Sequence, residues 1–354
     1  MITKIIKIEN EFEREKIKEV ASALRDGKLV VFPTETVYGL GGNGLNEDAL
    51  KNIYVAKGRP SDNPLILHIA DLDMLDTLVR DIPEDAKLLI DKFWPGPLTL
   101  IFNRKSIVPD RATGGLDTVA IRMPSDKVAH AILKAAKVPV AAPSANLSGK
   151  PSPTSTAHVI EDLDGRVDYI VDSTRSFVGI ESTVVDMTVN PPMILRPGYI
   201  TYEDLKSVIP DVCYDNTTID KDDKSVPKSP GQKYRHYAPS ANCYTYVGDV
   251  NLVRDKIKEE INKNKDKKIC VIATDRVLKE IEEDVLKLSL GSGEDLLDAS
   301  HNLFYNLRLA DDNDVDIIFC EGFEQSGLGV GIMNRLTKAS SGNVTILGGK
   351  KWEN

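Results

Sequence analysis

A chain of 354 residues, 41% hydrophobic and 28% charged, has an ordinary globular composition and the length of two domains. Its formal charge of −9 argues against a protein that grips nucleic acid through a broadly basic surface, though it leaves room for a local basic groove. No apolar run approaches the ~18–20 residues of a membrane span and the start carries no signal-peptide core, so the expected setting is the cytoplasm, without a membrane.

Residues 10–27 predict a helix with Ile17, Val20, Ala21 and Leu24 on one face and Gly27 as its stop. Leu29 to Phe32 is an apolar run that Pro33 ends, which suits a buried strand. A glycine-rich stretch, Gly39 to Gly44, reads as a turn. The next helix has Asn46 as its cap, Ala49, Leu50 and Ile53 on one face and Gly58 as its C-terminal stop. Lys57 and Arg59 leave that helix end together, ahead of Asn63-Pro64 and the apolar run Leu65–Ile69. Two cations so close to a strand end, with threonine hydroxyls nearby, point to a polyanion site, a phosphate chain first of all.

A further helix is expected over 84–94, broken by Pro95-Gly96-Pro97. Strands follow at Leu98–Phe102, Val119–Arg122, Val138–Ala142, Tyr169–Asp172, Thr183–Met187 and Met193–Arg196, which predicts an α/β sheet of mixed direction. After Pro210 the chain turns polar and acidic, then rich in proline, lysine and tyrosine, as a long linker would be. From Cys243 onward strands and helices alternate regularly, which predicts a small parallel, doubly wound domain. The expected partition is 1–207, a linker at 208–240, and 241–354. Cys213, Cys243, Cys270 and Cys320 lie far apart without Cys-x-x-Cys spacing, and are expected as free thiols.

Several motifs invite a quick reading. Gly39-Leu40-Gly41-Gly42-Asn43-Gly44 matches Gly-x-Gly-x-x-Gly, but six residues separate it from the strand where a dinucleotide site needs a tight turn. Ser148-Gly149-Lys150-Pro151-Ser152 resembles the end of a phosphate-binding loop, yet Ser144 replaces its first glycine and Pro151 its hydroxyl residue. No two histidines share metal-ligand spacing, and no Gly-x-Ser-x-Gly elbow is present. His68, in its apolar run, is as well explained by a structural role as by a functional one. Gly291-Ser292-Gly293 before a helix suits either an anion site or an ordinary loop. Pro143 to Gly149, Glu181-Ser182-Thr183, Arg122 and Arg196 place polar groups at strand ends, which can converge on one crevice at a sheet edge.

Taken together these segments resemble the YrdC family in its longer, two-domain form. The carriers are Phe32 to Leu40 (Phe-Pro-Thr-Glu-Thr-Val-Tyr-Gly-Leu), Lys57-x-Arg59, Asn63-Pro64-Leu65, Trp94 to Thr99, Val119 to Pro124, Pro143-Ser144-Ala145-Asn146, Glu181-Ser182-Thr183 and Leu195 to Gly198. Pro230 to Pro239 is similar to the family's interdomain segment, with Gln232 where a methionine is expected, and Gly327 to Leu336 is similar to its C-terminal domain. The resemblance implies an N-terminal YrdC-like twisted mixed sheet with helices, plus a smaller C-terminal doubly wound (Rossmann-like) domain. It implies a nucleotidyltransferase that converts L-threonine, bicarbonate (or carbon dioxide) and ATP to threonylcarbamoyl-AMP and pyrophosphate. The product goes to a separate complex that modifies the adenosine beside the anticodon in tRNA, so this chain need not bind tRNA itself.

By the same resemblance, Lys57, Arg59, Ser144 and Asn146 form the catalytic set on the triphosphate. Asn63, Thr113, Ser152, Arg196 and Tyr234 join Arg59 and Ser144 around ATP. Thr36, His68, Arg122, Ala142 and Ser182 surround the threonine, with Arg122 suited to its carboxylate. Mg2+ bridges the phosphates with few protein ligands, and no dedicated metal site is expected. Tyr234 and His236 are expected in a linker segment that closes over the nucleotide. The rival is a double-stranded RNA-binding module without ATP chemistry, whose affinity falls steeply with salt. A third reading gives the C-terminal domain a ligand of its own.

Overall fold

The computed structural model describes residues 2–61, 63–215 and 237–349. Among these, 2–148, 152–177 and 181–215 form one unit, and 149–151, 178–180 and 237–349 a second.

The first unit is built on one mixed sheet. Its strands are β1 (Lys4–Lys7), β2 (Val30–Phe32), β3 (Gly39–Asn43), β4 (Ile66–His68), β5 (Leu98–Asn103), β6 (Thr118–Arg122), β7 (Val140–Ala141), β8 (Tyr169–Asp172), β9 (Thr183–Asp186), β10 (Met193–Arg196) and β11 (Cys213–Tyr214). They lie in the order β1-β8-β2-β3-β7-β4-β6-β5-β9-β10-β11. The mixed direction follows the expectation from sequence. The glycine-rich stretch does not: it is β3, hydrogen-bonded between β2 and β7. Its glycines make room for neighbouring side chains within a strand. A Cβ on Gly41 would stand 2.6 Å from the Phe32 ring and 3.0 Å from Val140 Cγ1. That close approach is what glycine inside a strand permits.

Cross-strand partners point to the same face of a sheet, and successive residues to opposite faces. One face presents Leu67, Leu100, Ile121 and Val185 to the larger core, with the helices Glu47–Lys57, Leu72–Leu78 and Glu84–Phe93. The other face carries the small cluster Ile66, Ile101, Ala120, Val184 and Leu195. Beside it, helices Arg14–Arg25 and Lys127–Ala136 cover Val30, Phe32, Val140, Ala142 and Val171. The first of these helices buries Ile17, Val20, Ala21 and Leu24, the stripe its spacing predicts. Residues 208–214, assigned by composition to the linker, belong to this unit. Ile209 and Val212 are buried in its core, and β11 pairs parallel with β10. The strand itself is two residues, Cys213–Tyr214, too short to show a period of its own.

The second unit holds five parallel strands: β12 (Asn242–Val247), β13 (Ile269–Ala273), β14 (Leu286–Ser289), β15 (Ile317–Gly322) and β16 (Val344–Ile346). Their order is β14-β13-β15-β12-β16. This is doubly wound α/β, with helices Val250–Lys263, Leu297–Asp312 and Leu328–Ala339 between strands. Between β13 and β14 the alternation has only a single helical turn, Asp275–Leu278. All four cysteines are free thiols, as spacing suggested. Cys243 and Cys320 nevertheless meet inside the sheet, their sulfurs 3.6 Å apart.

Candidate active site

The helix Glu47–Lys57 is framed as its sequence predicts. Asn46 accepts from the N–H groups of Asp48 and Ala49, and Gly58 closes the other end in the left-handed region, at φ 60°. This stop turns Lys57 inward, where it is 3% exposed. Its ammonium donates to the Ser144 carbonyl and, at 2.7 Å, to the Asn146 carbonyl, with Asn146 Oδ1 at 3.4 Å. Ser144 Oγ donates to Asn146 Oδ1 at 2.5 Å. The loop is fixed by Leu40 N–H to Pro143 O, Ala145 N–H to Tyr38 O, and Ser148 N–H to Lys57 O, at 2.8–2.9 Å. Charge-assisted bonds of this kind are the stronger ones, so Lys57 shapes the loop as well as charging it. Arg59 follows, partly buried.

Asn63 is fully buried, and its side-chain amide makes no hydrogen bond among the described residues. Leaving a buried amide without a partner costs about 1–3 kcal/mol. The Tyr54 hydroxyl lies 2.9 Å from Asn63 O and 3.1 Å from Arg111 O. It thereby brings the short helix Asp110–Thr113, with buried Thr113 at its end, beside the Asn63 loop.

Arg122 ends β6 in register with His68 on β4 and Thr99 on β5. Its Nη1 donates to Thr36 Oγ1 at 2.8 Å, its Nε to Gly96 O at 3.4 Å, and its Nη2 lies 2.7 Å from Glu35 Oε1. His68 is buried, and burial, then the Arg122 charge, pushes its imidazole down to about 3. It is therefore neutral at ordinary pH. Ala142 follows β7, its N–H bonded to Ile66 O at 3.0 Å.

The row continues through Val184 to Arg196, which is in register with it. Arg196 donates to Ser182 O and Ser182 Oγ, both at 3.1 Å, and Ser182 Oγ lies 2.8 Å from Thr99 Oγ1. Next along the chain, Glu181 accepts from Ser152 Oγ at 2.6 Å. Gly198 lets these strands touch: a Cβ there would sit 2.5 Å from Thr183 N and 2.6 Å from Glu181 O.

Thus Lys57, Ser144 and Asn146 meet; Thr36, His68 and Arg122 meet; and Ser182 and Arg196 meet. The segment Pro33–Tyr38 joins the first two groups, since Tyr38 O takes Ala145 N–H while Thr36 takes Arg122. Register spaces these groups along the sheet. Ser144, beyond the end of β7, pairs with Gly39 four residues on from Val140, the partner of His68. The residues therefore spread over a face of the sheet, bridged by the loop that crosses it. Tyr234 and His236 lie outside the described residues. Glu35, Thr99, Glu181 and Gly198 escaped selection as site residues. The signal for Glu35 was present: a carboxylate between two threonines just after a buried strand.

A family model described as "Telomere recombination" (Sua5_yciO_yrdC) matches residues 22–198, and one described as "Threonylcarbamoyl-AMP synthase, C-terminal domain" matches residues 200–341. The chain belongs to the Sua5/YciO/YrdC family. A family member from Pyrococcus abyssi named threonylcarbamoyl-AMP synthase is 47% identical over 341 residues, 96% of this chain and 98% of its own length. Another of that name, from Bacillus subtilis, is 46% identical over 93% of this chain and 94% of its own. The solved structure of P. abyssi Sua5 complexed with L-threonine superposes with a TM-score of 0.92 at 45% identity, covering 98% of this chain and 100% of that one. The two-domain form seen in sequence is thus the family's own. Among the described residues no helix is long and apolar enough to cross a membrane, and no group of three or more His, Cys, Asp or Glu is placed to hold a metal ion.

Proposed function

We propose that this chain makes threonylcarbamoyl-AMP from L-threonine, bicarbonate (or carbon dioxide) and ATP, releasing pyrophosphate. The observation that carries the reading is the Pro33–Tyr38 segment, which ties a lysine-organised polar loop to a guanidinium–hydroxyl pocket. Relatives over the whole length bear the name of this activity, and one was solved with L-threonine.

Threonine presents its carboxylate to Arg122, whose planar guanidinium suits it, with Thr36, Ser182, Ala142 and neutral His68 around the rest. Its amine takes up carbon dioxide, and the carbamate oxygen attacks the α-phosphorus in line as pyrophosphate leaves. Such chemistry depends on positioning and on neutralising charge. Lys57 and Arg59 supply positive charge to the phosphates, and Ser144 and Asn146 complete that set. Asn63, Thr113, Ser152 and Arg196 hold the rest of the nucleotide; the unmatched Asn63 amide suits a base or sugar edge. Magnesium enters with ATP, carried by phosphate oxygens and water. The product passes to a separate tRNA-modifying complex, and direct tRNA contact is not required. A phosphate-gripping RNA module would present Lys57 at its surface, whereas here it is buried on two carbonyls.

The test is purified chain with labelled ATP. Pyrophosphate release that needs both threonine and bicarbonate is expected; release independent of either refutes the reading.

A further inference from the structure

Glu35 stands between Thr34 and Thr36 in the segment that joins the halves of the site. It is 9% exposed, and neither carboxylate oxygen makes a hydrogen bond among the described residues. Its ionic neighbour is Arg122 Nη2, at 2.7 Å. A carboxylate that loses water on burial ordinarily gathers N–H or O–H donors. The flanking hydroxyls are otherwise engaged: Thr34 Oγ1 donates to Val37 O at 2.6 Å, and Thr36 Oγ1 accepts from Arg122. The charges near this spot are also uneven. Asp126, whose carboxylate caps the helix Lys127–Ala136 by accepting from Ala129 N–H at 2.8 Å, is close enough to feel both Glu35 and Arg122, while His68 is uncharged. Burial, and to a lesser degree the Glu35 charge, raises the Asp126 carboxyl to about 6.

We propose that Glu35 receives the α-ammonium of the amino-acid substrate, so that binding exchanges partners: the substrate carboxylate takes Arg122 and its ammonium takes Glu35. This rests on the threonine reading of the site given above. A zwitterion is what such a split pair accepts, since each buried charge then keeps an opposite one. A ligand with the carboxylate and hydroxyl but no amine would take Arg122 and leave Glu35 buried and uncompensated, which is strongly unfavourable. Glu35 would therefore determine specificity for an α-amino acid over the matching hydroxy acid.

Isothermal titration of the full chain with L-threonine and with (R)-3-hydroxybutanoate, threonine without its amine, tests this. Wild type should bind threonine about 100-fold more tightly, and Glu35→Gln should bring the two ligands within a few-fold of each other. A role confined to orienting Arg122 predicts instead equal weakening of both ligands, because both carry the carboxylate; retained discrimination in Glu35→Gln overturns the proposal. Equal affinity of the two ligands for wild type overturns it without any variant, which covers failure of the glutamine form to fold. Wild type that discriminates yet releases no pyrophosphate keeps Glu35 and removes the synthase reading. Wild type that turns over ATP without discriminating removes Glu35 alone.

Discussion

Gly198→Ala would test whether the β9 and β10 ends must touch for the site to work. The added methyl would stand 2.5 Å from Thr183 N, 2.6 Å from Glu181 O and 2.7 Å from Ser182 C, all backbone. Non-bonded atoms settle near 3.5 Å, so one of the two segments must move by about 1 Å. The Thr183 side resists, because its N–H is bonded to Pro97 O and its hydroxyl to Ile200 O. Ser182 and Arg196 then lose register with each other and with Thr99, and a 1 Å misplacement can cost about 100-fold in rate. Pyrophosphate release at varied threonine should show kcat/KM lowered by that factor, with overpacking costing about 1–3 kcal/mol of stability. Gly327→Ala serves as the control: it has open space but φ 52° and ψ −131°, so backbone strain of about 1–3 kcal/mol arises far along the chain from these loops. Similar stability loss with normal kinetics is expected there. A folded Gly198→Ala chain with wild-type kcat/KM for threonine would refute the reasoning.

Lys57→Ala should remove most of the pyrophosphate-release rate and also destabilise, since the Ser144 and Asn146 carbonyls lose a buried donor worth about 1–3 kcal/mol. Arg59→Ala should remove most of the rate with a smaller change in the urea midpoint, and wild-type rates in either variant would take that residue out of the site. Gly41→Ala should lower the melting temperature through a cost of about 1–3 kcal/mol, because its Cβ meets Phe32 at 2.6 Å; an unchanged melting temperature would mean that β3 is not packed as described. Because His68 sits at about 3 in the folded chain, the unfolded chain binds a proton below about 6.5 that the folded one excludes. Wild type should therefore lose stability relative to His68→Gln as pH falls from 6.5 towards 3, by about 1.4 kcal/mol per unit, and parallel urea-unfolding profiles would contradict this.

Where a local pattern and the tertiary context agree, the fold can be read from sequence. Asn46 and Gly58 frame their helix because capping is a property of a few neighbouring residues. The regular alternation after Cys243 likewise survives as parallel β12 to β15. The failures have a common cause. Glycine in β3 is chosen by Phe32 and Val140 across the sheet, and nothing beside it in sequence says so. β16 and β11 are short strands whose pairing is decided by distant partners. For the site, Lys57 with Ser144 and Asn146 was legible as a set only through family likeness. The register that aligns His68, Arg122 and Thr99 depends on strand order, which periodicity does not contain. Glu35 is plain in the sequence, but its partner Arg122 lies far along the chain and is brought beside it only by the fold.

The charges of this site are engaged with one another before any substrate arrives. Lys57 holds two carbonyls, Arg122 holds Thr36 and Glu35, and Arg196 holds Ser182. On the proposed reading, ligand binding at Arg122 is therefore an exchange of partners rather than the filling of an empty field. An exchange gives little net affinity, since each new contact replaces an old one of similar kind. It gives large penalties to a ligand that replaces only part of the set, because a buried group is then left unmatched. A site that must refuse hydroxy acids gains more from such penalties than from tight binding, and on the proposal above the Glu35–Arg122 pair applies them to any ligand that lacks an α-ammonium.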